Sequence, residues 1–168
     1  NLLYEFIWHK YCDWYLEMAK GRIKEKATQI ILYKVLEKSM RMLHPFMPFI
    51  TEEIWSLLPH KKDSIMIQPW PHLQKDLIDK KADGEMDLAI GIITAIRNIR
   101  AEVNIPPQKS CKVIISTANN KNLATIEKCE DYIKSLAKAE AVKAGLKLER
   151  LKASSVTVVG DCEIAVLL

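Results

Sequence analysis

The chain has 168 residues, 49% of them hydrophobic and 27% charged, which is typical of one ordinary globular domain or two small ones. Its longest apolar run, residues 88–96, is far too short to span a bilayer, so the composition argues against a membrane protein. The formal net charge of +4 is compatible with a phosphate-bearing partner but does not require one.

The four cysteines, Cys12, Cys111, Cys129 and Cys162, are too scattered for a disulfide framework or a zinc site. We therefore expect reduced thiols, a cytoplasmic protein and no metal. The chain begins at Asn1 rather than at a methionine, and no basic-then-apolar leader opens it. This start predicts a piece of a longer protein.

The first predicted helix covers residues 2–20 and is apolar around most of its circumference. Such a helix is typically buried, so we expect its aromatic side chains to lie in a core rather than to stack on bases. Four polar residues follow one another at a spacing of four: Glu5, His9, Asp13 and Glu17. No orienting partner or pocket accompanies this line, which is interpreted as a solvated helix face rather than an acid–base site.

The second predicted helix runs from about residue 24 to residue 43. Its apolar residues form one inward stripe, Ile31, Leu32, Val35, Leu36, Met40 and Leu43. Lys34, Lys38 and Arg41 share another face, and we call these three residues the basic ridge. The ridge is either a solvated face or a surface that follows the phosphates of an RNA backbone.

A sharp corner between two packed helices is predicted for residues 43–59, LHPFMPFITEEIWSLLP. Pro45 and Pro48 cannot continue the preceding helix, and Pro48 suits the first turn of the next one. Apolar residues at helical spacing are expected to fill a core: Phe46, Phe49, Ile50, Ile54, Trp55 and Leu58.

Residues 59–75 follow the corner as a long irregular stretch with three prolines, which we call the strap. We expect Ile65, Ile67 and Trp70 to pin the strap to the helices. A loop of this length is uncommon in a compact domain and is often functional, although the sequence does not specify the function.

The fourth and longest predicted helix starts near Asp79 and ends before Pro106. Its core stripe consists of Ile92, Ile96, Ile99 and Val103. Beside this stripe lie three polar residues, Arg97, Arg100 and Asn104. Arginines at such a border either hold carboxylates of neighbouring helices or reach RNA phosphates and bases, and both interpretations remain open.

The pattern changes near residue 108, where we predict a boundary between an antiparallel helical bundle (1–107) and a small α+β subdomain (108–168). The subdomain is predicted to contain a buried strand CKVIIST, a helix from an Asn119 or Asn120 cap to about residue 139, and a strand over 141–149. A hairpin turning at Gly160 and Asp161 completes it. The predicted fold is thus mainly α. No catalytic residue is predicted, because no phosphate loop or recognisable nucleophile occurs.

The string LHPFMPFITEEIW (43–55) resembles the corner in the anticodon-binding helical domain of class I aminoacyl-tRNA synthetases for large aliphatic amino acids. The corner is shared with the isoleucyl and leucyl enzymes, whose domains remain alternatives. Three further stretches resemble the valyl-tRNA synthetase family more specifically: YEFIWHKYCDWYLEMAK (4–20), SIMIQPWP (64–71) and IRNIRAEVNIPPQK (96–109). Together these stretches extend the resemblance over essentially the whole chain.

This resemblance implies a valine–tRNA ligase as parent, in which ATP and Mg²⁺ serve a catalytic domain that lies upstream of this chain. The fragment itself is expected to be inactive and to grip the tRNA for valine on its anticodon side. The parent is expected to be monomeric, and the fragment to lack the beginning of its helical domain and a following coiled-coil arm. Six residues are the candidate RNA contacts: Arg97, Arg100, Asn104, Lys34, Lys38 and Arg41. The alternative from another class is a non-enzymatic helical scaffold for a protein partner.

Overall fold

The structure, a computed structural model, describes residues 2–59, 63–148 and 154–167. Contacts divide the chain into two units, Asn1–Leu77 and Ile78–Leu168, and each unit is described by itself. This division falls well before residue 108, and the functional boundary predicted there stays a prediction.

The first unit consists of three helical segments and two short turns. Helix α1 (2–22) changes its winding along its length, from α (Leu2–Tyr4) to π (Glu5–Leu16), back to α (Glu17–Ala19) and then to 3₁₀ (Lys20–Arg22). Helix α2 is Lys26–Leu43 and helix α3 is Pro48–Leu57, and 3₁₀ turns follow at Ile65–Ile67 and Lys75–Leu77. The predicted helix–proline–helix corner is confirmed, with Pro48 as the first residue of α3.

Helix α1 is less buried than its composition predicts. Tyr11 is buried, and its hydroxyl donates to the carbonyl oxygen of Leu32 at 3.1 Å. Four large apolar side chains in the first two turns are instead exposed: Leu2, Tyr4, Phe6 and Trp8. The core prediction is therefore wrong for this half of the helix. The solvated polar line is confirmed for Glu5, His9 and Asp13, which are all exposed.

The core at the corner is small and centres on Trp55, which is only 4% exposed. Trp55 packs with Met40 and Ile65, and four half-buried side chains surround the three: Leu36, Leu43, Ile54 and Leu58. Phe46, Phe49 and Ile50 are exposed, with Phe49 at 90%, so their predicted burial is wrong. Within the described part of this unit, α3 packs mainly on α2 and on the turn after it, and its side chains Phe49, Ile50 and Leu57 are exposed.

The strap is held at its beginning by polar contacts as well as by Ile65. The indole N–H of Trp55 donates to the carbonyl oxygen of Asp63 at 2.9 Å. The Glu52 carboxylate accepts hydrogen bonds from the Ser64 hydroxyl and from the Ile65 backbone N–H. The pinning role is confirmed for Ile65 but is wrong for Ile67 and Trp70, which are both exposed.

The second unit is an α+β unit. Helix α4 is Lys80–Glu102, followed by strand β1 (Cys111–Thr117), helix α5 (Asn120–Lys128), helix α6 (Glu130–Ala137) and strands β2 (Ala139–Leu146), β3 (Ser154–Val159) and β4 (Cys162–Leu167). Strand β1, the Asn119 cap and the β3–β4 hairpin confirm the sequence prediction. The single helix predicted up to residue 139 is interrupted at Cys129 and forms two helices.

The four strands form one mixed sheet in the order β2-β1-β4-β3. Strand β1 is parallel to β2 and antiparallel to β4, with Ile115 opposite Ile164 and Val113 opposite Val166. These four side chains are buried, and α4, α5 and α6 all pack on strands of the sheet. The core of the unit thus lies between this helical layer and the sheet.

The predicted fold class, a mainly α antiparallel bundle with a small appendage, is wrong. The stripe of α4 is buried as predicted at Ile92, Ile96 and Ile99, but α4 belongs to the unit that holds the four-stranded sheet. Helical periodicity identifies the apolar face of a helix without identifying the partner that covers it. Periodicity therefore predicts a bundle for the longest helix, whose partners in the structure are a sheet and two short helices.

We expect the Asp161 carboxyl group, in the β3–β4 turn, to make the stability of the chain depend on pH. The Thr117 hydroxyl donates a hydrogen bond to one carboxylate oxygen of Asp161 at 2.9 Å, and the Asn122 amide donates to the other oxygen. These bonds, of which the one from Thr117 has the larger effect, lower the pKa of the Asp161 carboxyl group below its ordinary 3.8. A lowered folded-state pKa contributes stability above the unfolded pKa, and this stability is lost as pH falls through the folded value. We expect urea midpoints to fall less steeply below about pH 4 in Asp161→Asn than in the parent chain. If the urea midpoints of Asp161→Asn and of the parent chain depend equally on pH, the Asp161 carboxylate does not stabilise the turn. Glu140 is exposed, and Glu140→Gln is the control.

Candidate nucleic-acid interface

Arg100 is the most deeply placed of the predicted site residues, with 6% of its surface exposed. One terminal nitrogen donates to the carbonyl oxygen of Lys138 at 3.1 Å and to the Cys111 sulfur at 3.4 Å. The other donates to the carbonyl oxygens of Pro106 at 3.2 Å and Lys109 at 2.6 Å. The guanidinium thus binds backbone carbonyls rather than carboxylates. Its RNA contact stays a prediction, and a direct contact requires local opening.

Arg97 lies one turn earlier on α4 and is exposed. Its Nε–H donates to the carbonyl oxygen of Leu136 at 3.0 Å, in the last turn of α6. Positive groups are favourable at the carbonyl end of a helix, where the unpaired carbonyls carry partial negative charge. The structure therefore brings Arg97 and Arg100 together at the C-terminal end of α6, although their side chains differ in exposure.

Asn104 follows the C-terminal end of α4 and has a left-handed backbone with φ of 54°. Its N–H donates to the carbonyl oxygen of Ala101, and the Ile105 N–H donates to that of Arg100. This pair of bonds is a Schellman motif, which favours Gly or Asn at the left-handed residue. The backbone explains why asparagine occurs here, while its exposed side chain stays a candidate RNA contact.

Two of the three residues of the basic ridge hold the strap. The Lys38 ammonium donates to the Gln74 side-chain oxygen. Arg41 donates to the Pro69 carbonyl oxygen at 2.7 Å and forms an ion pair with Glu37 at 2.9 Å. Lys34 is exposed, and no hydrogen bond or ion pair of its side chain is found within the described residues. The ridge belongs to the first unit, whereas Arg97, Arg100 and Asn104 belong to the second.

A second basic region lies between the beginnings of α4 and α5, around a cavity of about 200 Å³. Its lining includes the carboxylate of Glu85, which pairs with two lysines. Lys128 lies 2.7 Å from Glu85, and Lys81 is 3.8 Å from the same carboxylate. The hydrogen bond with Lys128 lowers the pKa of Glu85 and raises the pKa of Lys128. This ion pair makes the cavity a weak candidate for an anion site.

Neither metal chemistry nor a membrane span is visible in the part of the chain that the structure describes. Within residues 2–59, 63–148 and 154–167, no three His, Cys, Asp or Glu side chains are grouped to hold a metal ion. No helix in these ranges is both long enough and apolar enough to cross a membrane. Burial raises the pKa of the Cys129 and Cys162 thiols, which disfavours thiolate chemistry there.

Sequence reasoning missed two residues that the structure brings together, Lys109 and Lys138. Their carbonyl oxygens bind the same Arg100 guanidinium although they are distant in the sequence. For Lys138 the sequence carries one signal: this lysine stands directly after a helix and before a strand, a position where glycine or asparagine is more usual.

The chain belongs to the family of anticodon-binding domains of tRNA ligases, whose family model matches residues 1–115. Among its relatives are valine–tRNA ligases of Oceanobacillus iheyensis (41% identity, covering 96% of this chain and 19% of that protein) and Fusobacterium nucleatum (41%, 99% and 20%). The valine–tRNA ligase of Bacillus subtilis is 38% identical over 96% of this chain and 19% of its own length. The resemblance to the valyl family is confirmed. The chain spans about a fifth of the length of these relatives.

Proposed function

We propose that this chain is the anticodon-side tRNA-binding part of a valine–tRNA ligase. The observation that carries the proposal is identity of 38–41% to three valine–tRNA ligases over nearly the whole chain, together with the family match over residues 1–115. The complete enzyme activates valine with ATP and transfers the acyl group to the 3′ end of its tRNA. This part fixes the tRNA while the distant acceptor end reacts.

The reaction itself belongs to the remainder of the enzyme, where ATP and Mg²⁺ bind, so this chain alone is inactive. The sequence contains neither a phosphate-binding loop nor a recognisable nucleophile, which supports placing the reaction in the remainder of the enzyme. Exposed Phe46, Phe49 and Leu57 offer an apolar surface for attachment to the catalytic domain of the same enzyme. The enzyme acts as a monomer in the cytoplasm.

The six candidate residues divide into two roles within this proposal. Lys34, Arg97 and Asn104 are exposed, so their side chains can meet phosphates or bases directly. The other three, Lys38, Arg41 and Arg100, position the segments that they hydrogen-bond. Two observations support this division: the hydrogen-bond acceptors that each side chain reaches, and the extent to which each side chain is buried.

Salt titration tests the proposal on the complete enzyme. We expect binding to tRNA with a valine anticodon to be tighter than binding to the isoleucine and leucine tRNAs, and to weaken as salt rises, because each neutralised phosphate releases counterions. Fluorescence anisotropy of labelled tRNA over a range of salt concentrations measures both properties. Binding that is independent of salt and of the anticodon would favour the helical scaffold for a protein partner. Preference for another tRNA would favour the isoleucyl or leucyl assignment.

A further inference from the structure

Arg100 organises a small basic surface at the loop between α4 and β1. Its two terminal nitrogens reach the carbonyl oxygens of Lys109 at 2.6 Å and Lys138 at 3.1 Å. Strand β1 adds a third link, because the Cys111 N–H also donates to the Lys138 carbonyl oxygen at 3.3 Å. We call Lys109 and Lys138 the lysine corner. The buried Arg100 guanidinium bonds to both backbones, so the backbones of the two lysines are fixed relative to each other.

Lys138 occupies this position at a conformational cost. Its φ of 51° and ψ of 47° are left-handed, a conformation that a residue with a Cβ adopts less readily than glycine. Helices that end in this conformation usually have glycine or asparagine there. The strain at Lys138 is relevant only together with its bond to Arg100, because Lys147 has the same backbone conformation without that bond.

The ammonium groups of the lysine corner are available to a ligand. Both residues are exposed, and no hydrogen bond or ion pair of either side chain is found among the described residues. Other surface lysines of the chain are paired, such as Lys128 with Glu85 and Lys134 with Glu130.

Stabilisation of the negative end of α6 does not account for these charges. Arg97 and Arg100 already donate to the carbonyl oxygens of Leu136 and Lys138 at that end. The acidic residues nearest to the lysine corner in sequence are Glu102 and Glu140. They are outnumbered by exposed basic side chains in the flanking segments: Arg97, Lys109, Lys112, Lys138 and Lys143.

We propose that Lys109 and Lys138 form a binding site for the phosphodiester backbone of RNA, with Arg100 as the positioning residue beneath them. The proposal rests on the proposed tRNA-binding function and extends it to the second unit. An ammonium group binds phosphate as a point charge and carries no base preference, so this site adds affinity to every tRNA and discriminates little between them. Its contribution therefore depends on salt.

The chain offers a matched control for this test. Lys147 is also an exposed lysine with a left-handed backbone, at φ of 49°, but it follows β2 and is not bonded to Arg100. Lys138→Gly and Lys147→Gly each remove one positive charge and relieve the same backbone strain. Both variants are expected to be at least as thermally stable as the parent, and a thermal melt of each variant checks that a loss of binding in Lys138→Gly does not come from unfolding.

The experiment measures binding of the complete enzyme to valine tRNA between 50 and 200 mM salt. We expect Lys138→Gly and Lys109→Gln each to weaken binding about fivefold at the lowest salt and to reduce the slope of log K against log salt by about 1, while Lys147→Gly binds as the parent does. If Lys138→Gly and Lys147→Gly bind equally, the lysine corner is not an RNA site. If the unmodified enzyme does not bind valine tRNA in preference to other tRNAs, the proposed function fails instead.

Discussion

Arg100→Met is expected to lower the free energy of unfolding of the second unit by about 3 kcal/mol, because three backbone carbonyls lose the charged donor that a buried arginine supplies. Methionine fills much of the same volume but donates no hydrogen bond. The loop from Pro106 to Lys109 should then separate from the end of α6. Hydrogen exchange of the β1 and β2 amides measures the effect, since all four tryptophans lie in the first unit and tryptophan fluorescence does not report on the second.

Arg97→Met is the matched control for this substitution. Arg97 is exposed, so water can replace its bond to the Leu136 carbonyl oxygen, and we expect a loss of at most about 1 kcal/mol. Equal protection factors in the two variants would mean that the buried guanidinium does not hold the loop. Arg100→Lys should fall between them, because an ammonium keeps the charge but cannot serve all the acceptors in the planar geometry of a guanidinium.

Trp55→Ala is expected to lower the free energy of unfolding of the first unit by about 3–5 kcal/mol, the usual cost of removing a buried aromatic side chain. Trp55 contributes the largest side chain of the cluster with Met40 and Ile65, and its N–H holds the Asp63 carbonyl oxygen. The substitution therefore leaves a cavity and releases the beginning of the strap. Urea unfolding of the chain followed by far-UV circular dichroism measures the loss.

Phe49→Ala provides the comparison for the Trp55 variant. Phe49 lies on the same helix but is 90% exposed, so its removal should change the free energy of unfolding by no more than about 0.5 kcal/mol in the chain of 168 residues. A large loss in Phe49→Ala would mean that this phenylalanine is buried in solution, as the sequence pattern of the corner predicts.

Elements with local signals could be predicted from the sequence. Strand β1 alternates between buried and less buried residues, Asn119 caps α5 through its side chain, and Gly160 turns the β3–β4 hairpin with φ of 60°. Each of these features depends on residues a few positions apart. The exposure of Phe49 and of the beginning of α1 could not be predicted in the same way, because burial depends on which element covers an apolar face.

The role of Arg100 lay beyond sequence reasoning for a different reason. Its acceptors are the carbonyl oxygens of Pro106, Lys109 and Lys138, and a backbone carbonyl is present whatever the residue type. A search for partner carboxylates therefore finds nothing. Arg41 is a mixed case, since its pair with Glu37 follows from helical spacing while its bond to the Pro69 carbonyl oxygen does not.

The order of the strands in the sheet constrains the order in which the second unit can fold during synthesis. In the sheet, β1 lies between β2 and β4. Along the chain, two helices separate β1 from β2, and β4 is the last strand described. The β3–β4 hairpin is local and can form by itself, whereas closing β1 against β4 requires a long loop. Helix α4 and strand β1 therefore leave the ribosome before the sheet that buries their isoleucines exists. Until β4 is synthesised, one edge of β1 stays unpaired and the part of α4 that packs on β3 and β4 stays uncovered.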